Sequence, residues 1–155
     1  MKKYKFIILF IVALIIVSRG LAEPYRVSGD CMEPAFTDGQ RYFLNRVTPY
    51  LRDYKLNDIV LFKHEGKVWI SRIVALEKDT IQITEGKLVV NAVYTPDNEI
   101  RRNWSNWKFG IHAIDQPLQV PPNHVFVLSD NLSAHHDDSR VFGPVSKESI
   151  LGLVW

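Results

Sequence analysis

The sequence predicts a mainly β domain that follows one apolar segment at the amino terminus. After residue 23, apolar side chains occur in short runs rich in β-branched and aromatic residues, bounded by Gly, Asn or Asp, and this is the pattern of strands. No stretch of this part keeps an apolar period of 3.6 residues for more than two turns, so long amphipathic helices are not expected. The 155 residues are enough to bury one core without disulfide bonds.

Seven segments are predicted as strands, and Glu65-Gly66 and Glu85-Gly86 are predicted as tight hairpin turns between neighbouring ones. The predicted strands are Arg41–Asn45, Asp58–Lys63, Lys67–Leu76, Thr80–Thr84, Leu88–Tyr94, His124–Leu128 and Ser149–Val154.

The amino-terminal segment is apolar and follows a group of lysines. Lys2, Lys3 and Lys5 precede an unbroken apolar run from Phe6 to Val17, and the apolar character continues to Ala22. The pattern fits either a cleaved secretory signal or a short transmembrane anchor. In both cases the lysines stay in the cytoplasm and the chain after residue 23 lies outside it.

The predicted organisation is an N-terminal membrane anchor or signal-like segment over residues 1–22 and a β domain over residues 23–155. Within the β domain, residues from about 95 to 122 are polar and contain Trp104 and Trp107. We expect this stretch to be an inserted segment.

Composition excludes several classes of function. A formal net charge of +2, with basic residues scattered along the chain, does not predict a nucleic-acid partner. The single cysteine, Cys31, can form neither an intrachain disulfide nor a metal site with several cysteine ligands. Cys31 therefore acts alone or with another residue type.

Three segments contain residues that can take part in catalysis. The first is Val27–Pro34, which reads Val-Ser-Gly-Asp-Cys-Met-Glu-Pro, and the last is Phe126–Val145, which includes Asp-Asn and Asp-Ser-Arg steps. Between them lies Ile70–Leu76, which reads Ile-Ser-Arg-Ile-Val-Ala-Leu. In this order, behind an apolar amino terminus, the segments resemble the signal peptidase I family, the leader peptidases that remove signal sequences from exported proteins. The resemblance covers nearly the whole chain and implies a coiled β-sheet domain behind one transmembrane helix.

Three positions depart from the family pattern. The resemblance places Cys31 where the family has its nucleophilic serine, Ser71 where it has its general-base lysine, and His136 where it has a serine that orients the lysine. Because the last segment is one residue longer than in the family, His135 is the alternative base. A thiol has an ordinary pKa of about 8.5, and a neighbouring imidazole can lower that pKa to roughly 3.5–7.5. Together the changes predict a Cys31/His136 dyad in place of a Ser/Lys dyad, and the endoplasmic-reticulum branch of the family similarly carries histidine in place of the lysine.

Other residues of the three segments are predicted to support this dyad. The backbone amide of Cys31 is the expected oxyanion donor. Asp137 or Asp138 is expected to orient the imidazole, although the resemblance implies that Asp138 pairs with Arg140. The predicted supporting residues are Ser71, Arg72, Asp137, Asp138, Ser139 and Arg140, and the predicted oxyanion and substrate-binding residues are Ser28, Gly29, Met32 and Pro34.

Each catalytic assignment has a structural alternative. Cys31 can be a small apolar residue of the core. The paired histidines can belong to a solvated loop, or to a weak metal site, for which no third ligand is suitably spaced. Lys67 is a poor substitute for the missing base, because it lies four residues from Ser71 along the strand. We predict no metal and no cofactor.

The resemblance implies a single-pass protein of the cell membrane with its catalytic domain on the extracytoplasmic side. Its expected activity is endopeptidase cleavage of the signal peptides of exported proteins after a small residue. The expected partners are those signal peptides and the lipid bilayer. One alternative is an inactive homologue that binds exported peptides without cleaving them. Another is a secreted β domain that only resembles the family, with Cys31 as a structural or intermolecular thiol.

Overall fold

The computed structural model describes residues 4–11, 22–84, 87–94, 112–113, 116–131, 134 and 136–154. Within these ranges, eleven strands form two antiparallel sheets, which confirms the prediction of a mainly β domain. The strands are β1 (Ala22–Arg26), β2 (Arg41–Asn45), β3 (Ile59–His64), β4 (Lys67–Ala75), β5 (Thr80–Thr84), β6 (Lys87–Val90), β7 (Val93–Tyr94), β8 (Leu118–Gln119), β9 (His124–Leu128), β10 (Val145–Ser146) and β11 (Ile150–Val154).

The larger sheet has the strand order β1-β2-β11-β3-β4-β9-β10. Its central hairpin joins β3 to β4 through Glu65 and Gly66, whose φ angles of 48° and 77° are those of a tight turn that matches the twist of the strands. The hairpin predicted at Glu65-Gly66 is therefore confirmed. Strand β9 pairs with β4 only from Arg72 onward. On that edge, residues 67–71 of β4 pair with no strand in the part of the chain that the structure describes.

The smaller sheet has the strand order β7-β6-β5-β8. The prediction of one strand over Leu88–Tyr94 is wrong, because Asn91 and Ala92 adopt φ angles of 53° and 63° and turn the chain back on itself between β6 and β7. Asn91 is suited to this left-handed conformation, and its side chain accepts a hydrogen bond from the backbone N–H of Thr80 and donates one to Asp79. Glu85-Gly86 and residues 95–111 of the predicted inserted segment lie outside the described residues.

Strands β3 and β4 separate two parts of the hydrophobic core. Leu61 and Ile70, which pair across the two strands, pack in the cluster that contains Cys31. Val60 and Ile73 pack in a second cluster, on the other face. This division follows from the alternation of side chains along a strand, and it determines which side chains of β4 can approach Cys31.

The amino-terminal residues 4–11 are helical and exposed, although most of their side chains are apolar; Phe6 is 74% exposed and Phe10 is 69% exposed. Among the described residues, no helix is long and apolar enough to cross a membrane. Residues 1–3 and 12–21 of the predicted anchor lie outside the described ranges. The remaining helices are short: Thr48–Leu51, Ser139–Phe142 and the 3₁₀ turn Lys147–Ser149.

Candidate active site

Cys31 lies in the loop between β1 and β2, and local hydrogen bonds fix its backbone. The N–H of Glu33 donates to the carbonyl of Asp30 over 3.1 Å, and the N–H of Phe36 donates to the carbonyl of Met32 over 2.8 Å. Gly29, two residues before the cysteine, has a φ angle of 100° and donates its N–H to Asp38 over 2.7 Å. A glycine is required there because side chains rarely tolerate this conformation.

The thiol of Cys31 is buried in the first core cluster, with only 4% of the residue exposed. Burial, together with the negative charges of Asp30 and Asp130, raises the pKa of Cys31 to about 11. The resting site therefore holds a neutral thiol. The expected lowering of the thiol pKa by a neighbouring imidazole is not found in this structure. Among the described residues, burial and nearby carboxylates raise the pKa, and no imidazole lowers it.

Hydrogen bonds hold the cysteine loop against the last of the three segments. The N–H of Asn131 donates to the carbonyl of Cys31 over 2.8 Å, and the side-chain amide of Asn131 donates to the carbonyl of Asp30 over 3.1 Å. The preceding residue, Asp130, is buried and accepts two hydrogen bonds from the guanidinium of Arg72 on β4, the first over 2.7 Å. All three segments that the sequence singles out thus meet in one place.

A buried ion pair between Asp138 and Arg140 stabilises the segment that follows His136. Asp138 and Arg140 are almost completely buried, and the Nε and Nη2 groups of Arg140 each donate to one carboxylate oxygen over 2.7 Å. Asp138 also accepts a hydrogen bond from the N–H of Ser129. The hydroxyl of Ser139 accepts one from the N–H of Val127 on β9. These contacts tie the segment after His136 to β9.

His136 lies beside β4, with its ring edge-to-face against Trp69 at a centroid distance of 4.9 Å. Burial lowers the pKa of His136, although the charges of Asp138 and Asp137 and a hydrogen bond to the backbone of Ile70 raise it. Nε2 of the ring is buried and has no hydrogen-bond partner among the described residues, so the bond to Ile70 is made by Nδ1. The lowered pKa favours a neutral imidazole, with Nδ1 as the donor to Ile70 and Nε2 as the acceptor nitrogen, which is buried in the resting structure.

Ser71 lies on β4 next to this site and is completely buried. Its hydroxyl donates to the carbonyl of Ile70 over 2.7 Å. Since Ser71 pairs with Val60 and alternates with Ile70, its side chain points to the face opposite the Cys31 cluster. Ser71 provides no general base, as the sequence predicts for a serine at this position.

The other predicted residues occupy different environments. Ser28 and Pro34 are exposed at the surface of the cysteine loop, whereas Met32 is completely buried and belongs to the core. His135 lies outside the described residues. Because Nε2 of His136 has no partner, the structure contains no hydrogen bond from the Cys31 thiol to that nitrogen. No three His, Cys, Asp or Glu side chains converge as metal ligands within the described part of the chain.

Two contributors to the site were not singled out from the sequence. Asn131 lies in the last segment, but its role in holding the cysteine loop depends on contacts between residues one hundred positions apart. Trp69 covers His136. It could have been identified from the period of two along β4, which places Trp69 on the same face as Ser71.

Comparisons with known proteins agree with this architecture. The family profile described as "Signal peptidase, peptidase S26" matches residues 1–155. Signal peptidase I of Bacillus amyloliquefaciens is 29% identical over 151 residues, which cover 96% of this chain and 82% of the relative. Thylakoidal processing peptidase 1 of Arabidopsis thaliana is 30% identical over 151 residues, covering 89% of this chain and 42% of that protein.

A solved structure shares the fold. The crystal structure of a signal peptidase I from Enterococcus faecalis V583 has a TM-score of 0.54 and is 26% identical, covering 66% of this chain and 97% of that one. A β domain that only resembles the family is therefore excluded. The chain belongs to the signal peptidase family, peptidase S26, whose members are peptide hydrolases.

Proposed function

We propose that this protein is an endopeptidase that cleaves the signal peptides of exported proteins after a small residue, with Cys31 as nucleophile and His136 as general base. The main observation in support of the proposal is the contact between the loop of Cys31 and the last of the three segments. The only thiol of the chain lies in the loop that Asn131 holds against the last segment. His136 lies beside the adjacent strand, with an unpartnered Nε2.

The first chemical step starts from a neutral pair, because the pKa of Cys31 is raised and that of His136 is lowered. The thiol proton moves to Nε2 of His136 as Sγ bonds to the carbonyl carbon of the scissile peptide. The backbone N–H of Cys31 faces the developing oxyanion. This step requires the ring and the thiol to come within hydrogen-bonding distance when substrate binds, as catalytic contacts often do.

The later steps return the site to its starting state. The tetrahedral intermediate collapses, the C–N bond breaks, and the imidazolium of His136 gives its proton to the leaving amine. A thioester to Cys31 remains. His136 then removes a proton from a water molecule that attacks the thioester, and the thiol leaves with the proton that His136 returns, releasing the signal peptide with a new carboxylate.

We propose that substrate approaches the buried thiol along an edge of the larger sheet. On the side facing His136, residues 67–71 of β4 pair with no strand among the described residues. Such an edge can hold an extended peptide by main-chain hydrogen bonds.

The proposed location is the membrane, with residues 1–22 as a single-pass anchor. The supporting observations are the lysines followed by an apolar run and the exposed apolar side chains of residues 4–11, which a bilayer would cover. Washing membranes with alkaline carbonate tests this. We expect the full chain to stay with the lipid, and release of the full chain into the supernatant would contradict an anchor.

A second candidate function is a non-cleaving homologue that binds exported peptides. It is favoured by the buried thiol with its pKa of about 11 and by the absence of a base at Ser71. The two candidates differ in a single measurable property, which is turnover.

The deciding experiment measures cleavage of exported preproteins by the full chain in detergent micelles. We expect Cys31→Ala to abolish cleavage, and His136→Ala to lower kcat by roughly 10²–10⁴-fold, the usual contribution of a general base. Iodoacetamide should inactivate the parent protein. His124→Ala is the matched control, since His124 lies on β9 and its ring bonds to the carbonyl of Pro122.

The other outcomes are also informative. Full activity of Cys31→Ala would contradict the nucleophile. If Cys31→Ala loses activity and His136→Ala does not, another residue is the general base. His135→Ala would then be the next variant to test. Preproteins that bind to the parent protein but are never cleaved would establish the non-cleaving alternative.

A further inference from the structure

The backbone carbonyl of Ile70 points away from β3. The N–H of Ile73 donates to the carbonyl of Asp58 over 2.8 Å, and the N–H of Asn57 donates to the carbonyl of Ile73 over 2.9 Å, so the polar groups of Ile73 point to the β3 side. This direction reverses at each residue of an antiparallel strand. The polar groups of Ile70, three residues earlier, therefore point to the other edge of β4, where residues 67–71 pair with no strand among those that the structure describes.

Two donors already use the carbonyl of Ile70. The hydroxyl of Ser71 donates to it over 2.7 Å. The ring of His136 also makes a hydrogen bond to the backbone of Ile70, and because this bond raises the pKa of the ring, the ring is the donor and the carbonyl is the acceptor. A backbone carbonyl has two lone pairs, so both acceptor positions of this oxygen are occupied.

A peptide that adds to this edge of β4 requires the same oxygen. In a β-ladder the incoming strand lies about 4.8 Å away and bonds through its N–H groups to the carbonyls that point outward. The hydroxyl of Ser71 is completely buried and bonds within its own strand. The ring of His136 comes from another segment and reaches the outward-pointing carbonyl of Ile70 from the side of the edge. An incoming N–H and the ring of His136 therefore compete for one acceptor.

The resting position of the His136 ring satisfies only one of its two nitrogens. Nδ1 donates to Ile70, whereas Nε2 is buried and has no partner within the described part of the chain. A buried acceptor without a partner destabilises the arrangement that contains it. The indole of Trp69, which touches the ring edge-to-face at a centroid distance of 4.9 Å, donates its own N–H to the carbonyl of His64. Release of the ring therefore breaks one hydrogen bond and frees a nitrogen that was unsatisfied.

We propose that the bond to Ile70 holds His136 in a resting position, and that a peptide adding to the edge of β4 takes over the Ile70 carbonyl and releases the ring for its reaction with Cys31. The general base then becomes available only when a substrate is bound. This inference rests on the proposed function, because it takes His136 as the base and the edge of β4 as the approach of the substrate. It also accounts for the resting site, in which Nε2 and the Cys31 thiol share no hydrogen bond.

The test measures peptide binding in the full-length Cys31→Ala variant, so that no turnover is required. The probe is the blocked peptide acetyl-Leu-Ala-Thr-Ala-amide, which has the Ala-x-Ala pattern of a signal-peptide cleavage site, titrated in detergent micelles and followed by NMR. Adding His136→Leu removes the competing donor, and we expect Kd to fall roughly three- to tenfold, the effect of one net hydrogen bond. His136→Asn is the matched control. Its side-chain amide can replace Nδ1 as the donor, so Kd should stay close to that of Cys31→Ala.

A second measurement requires no substitution of His136. In the Cys31→Ala variant, the peptide should shift the ring nitrogen resonances of His136, because Nδ1 loses its acceptor. The ring of His124, which bonds to the carbonyl of Pro122, is the internal control, and its resonances should not respond.

Three results would overturn the inference. Equal Kd values for the His136→Leu and His136→Asn derivatives would show that the bond to Ile70 does not compete with the peptide. A bound peptide that leaves the ring resonances of His136 unchanged would show that the ring stays on Ile70. Absence of binding to every variant would show that the edge holds no peptide. These outcomes are separate from failure of the proposed function, because a protein that cleaves no preprotein can still show the competition, and an active one can lack it.

Discussion

The backbone N–H of Asn131 donates a hydrogen bond of 2.8 Å to the carbonyl of Cys31. It joins the loop between β1 and β2 to the segment that follows β9. The side chain of Asn131 adds a second bond, to the carbonyl of Asp30. The two bonds couple the backbone position of Cys31 to Asn131.

The first prediction concerns this positioning. Asn131→Ala removes the side-chain bond to Asp30 but keeps the backbone bond to Cys31. We expect kcat/KM for preprotein cleavage to fall about tenfold, because small displacements of a nucleophile are costly. The free energy of unfolding should fall by only about 1 kcal/mol, the usual contribution of one hydrogen bond.

The matched control is Asn123→Ala, which removes an exposed bond to Glu148 away from the cysteine loop. It should leave kcat/KM unchanged. Equal effects of the two variants on kcat/KM would mean that Asn131 does not position Cys31.

The second prediction concerns the resting protonation state of Cys31. Because its pKa is about 11, the thiolate is a minor form at neutral pH, and its fraction grows about tenfold per pH unit below the pKa. The rate of alkylation of the full chain by iodoacetamide should rise steadily from about pH 7 to about pH 10, measured by mass spectrometry. A plateau beginning below the ordinary thiol pKa of about 8.5 would instead indicate a thiolate paired with an imidazolium.

The third prediction concerns the acid side of the pH dependence of cleavage. Protonating His136 places a positive charge on a buried ring, so burial lowers its pKa below the ordinary value of about 6.5. The base form then persists as the pH falls to that value. We expect kcat/KM to lose activity only below about pH 6.5, with one proton bound in the inactive form. An acid limb centred above that pH would contradict His136 as the base.

The strands that the sequence predicts at their observed positions are those with a strong local pattern. Arg41–Asn45, Thr80–Thr84 and His124–Leu128 are compact runs of β-branched, aromatic or aliphatic residues between turn residues. By contrast, β1 was not predicted, because Ala22–Arg26 contains a proline and charged residues. Its formation depends on pairing with β2, and an edge strand of this kind can accept a proline.

For the site as well, some features were predictable from local sequence and others depend on the tertiary structure. The positions of Cys31, Ser71 and His136 in three separate motifs were sufficient to select them from the sequence. Their protonation states were not predictable, because the raised pKa of Cys31 results from burial that the core cluster imposes. The face of β4 that carries Ser71 also required the register with β3.

The last prediction concerns the contribution of the buried Asp138–Arg140 ion pair to stability. Asp138→Asn leaves the guanidinium of Arg140 buried without its carboxylate partner. Breaking one partner of a buried pair costs about 3–5 kcal/mol, and we expect a loss of this size in urea unfolding of the full chain. Glu23→Gln breaks the exposed pair with Arg46 and should cost at most about 1 kcal/mol. If Asp138→Asn does not fold, the double variant Asp138→Asn/Arg140→Met should recover part of the stability, because it also removes the buried guanidinium charge that paired with Asp138. Equal losses in Asp138→Asn and Glu23→Gln would show that the buried pair does not brace the site.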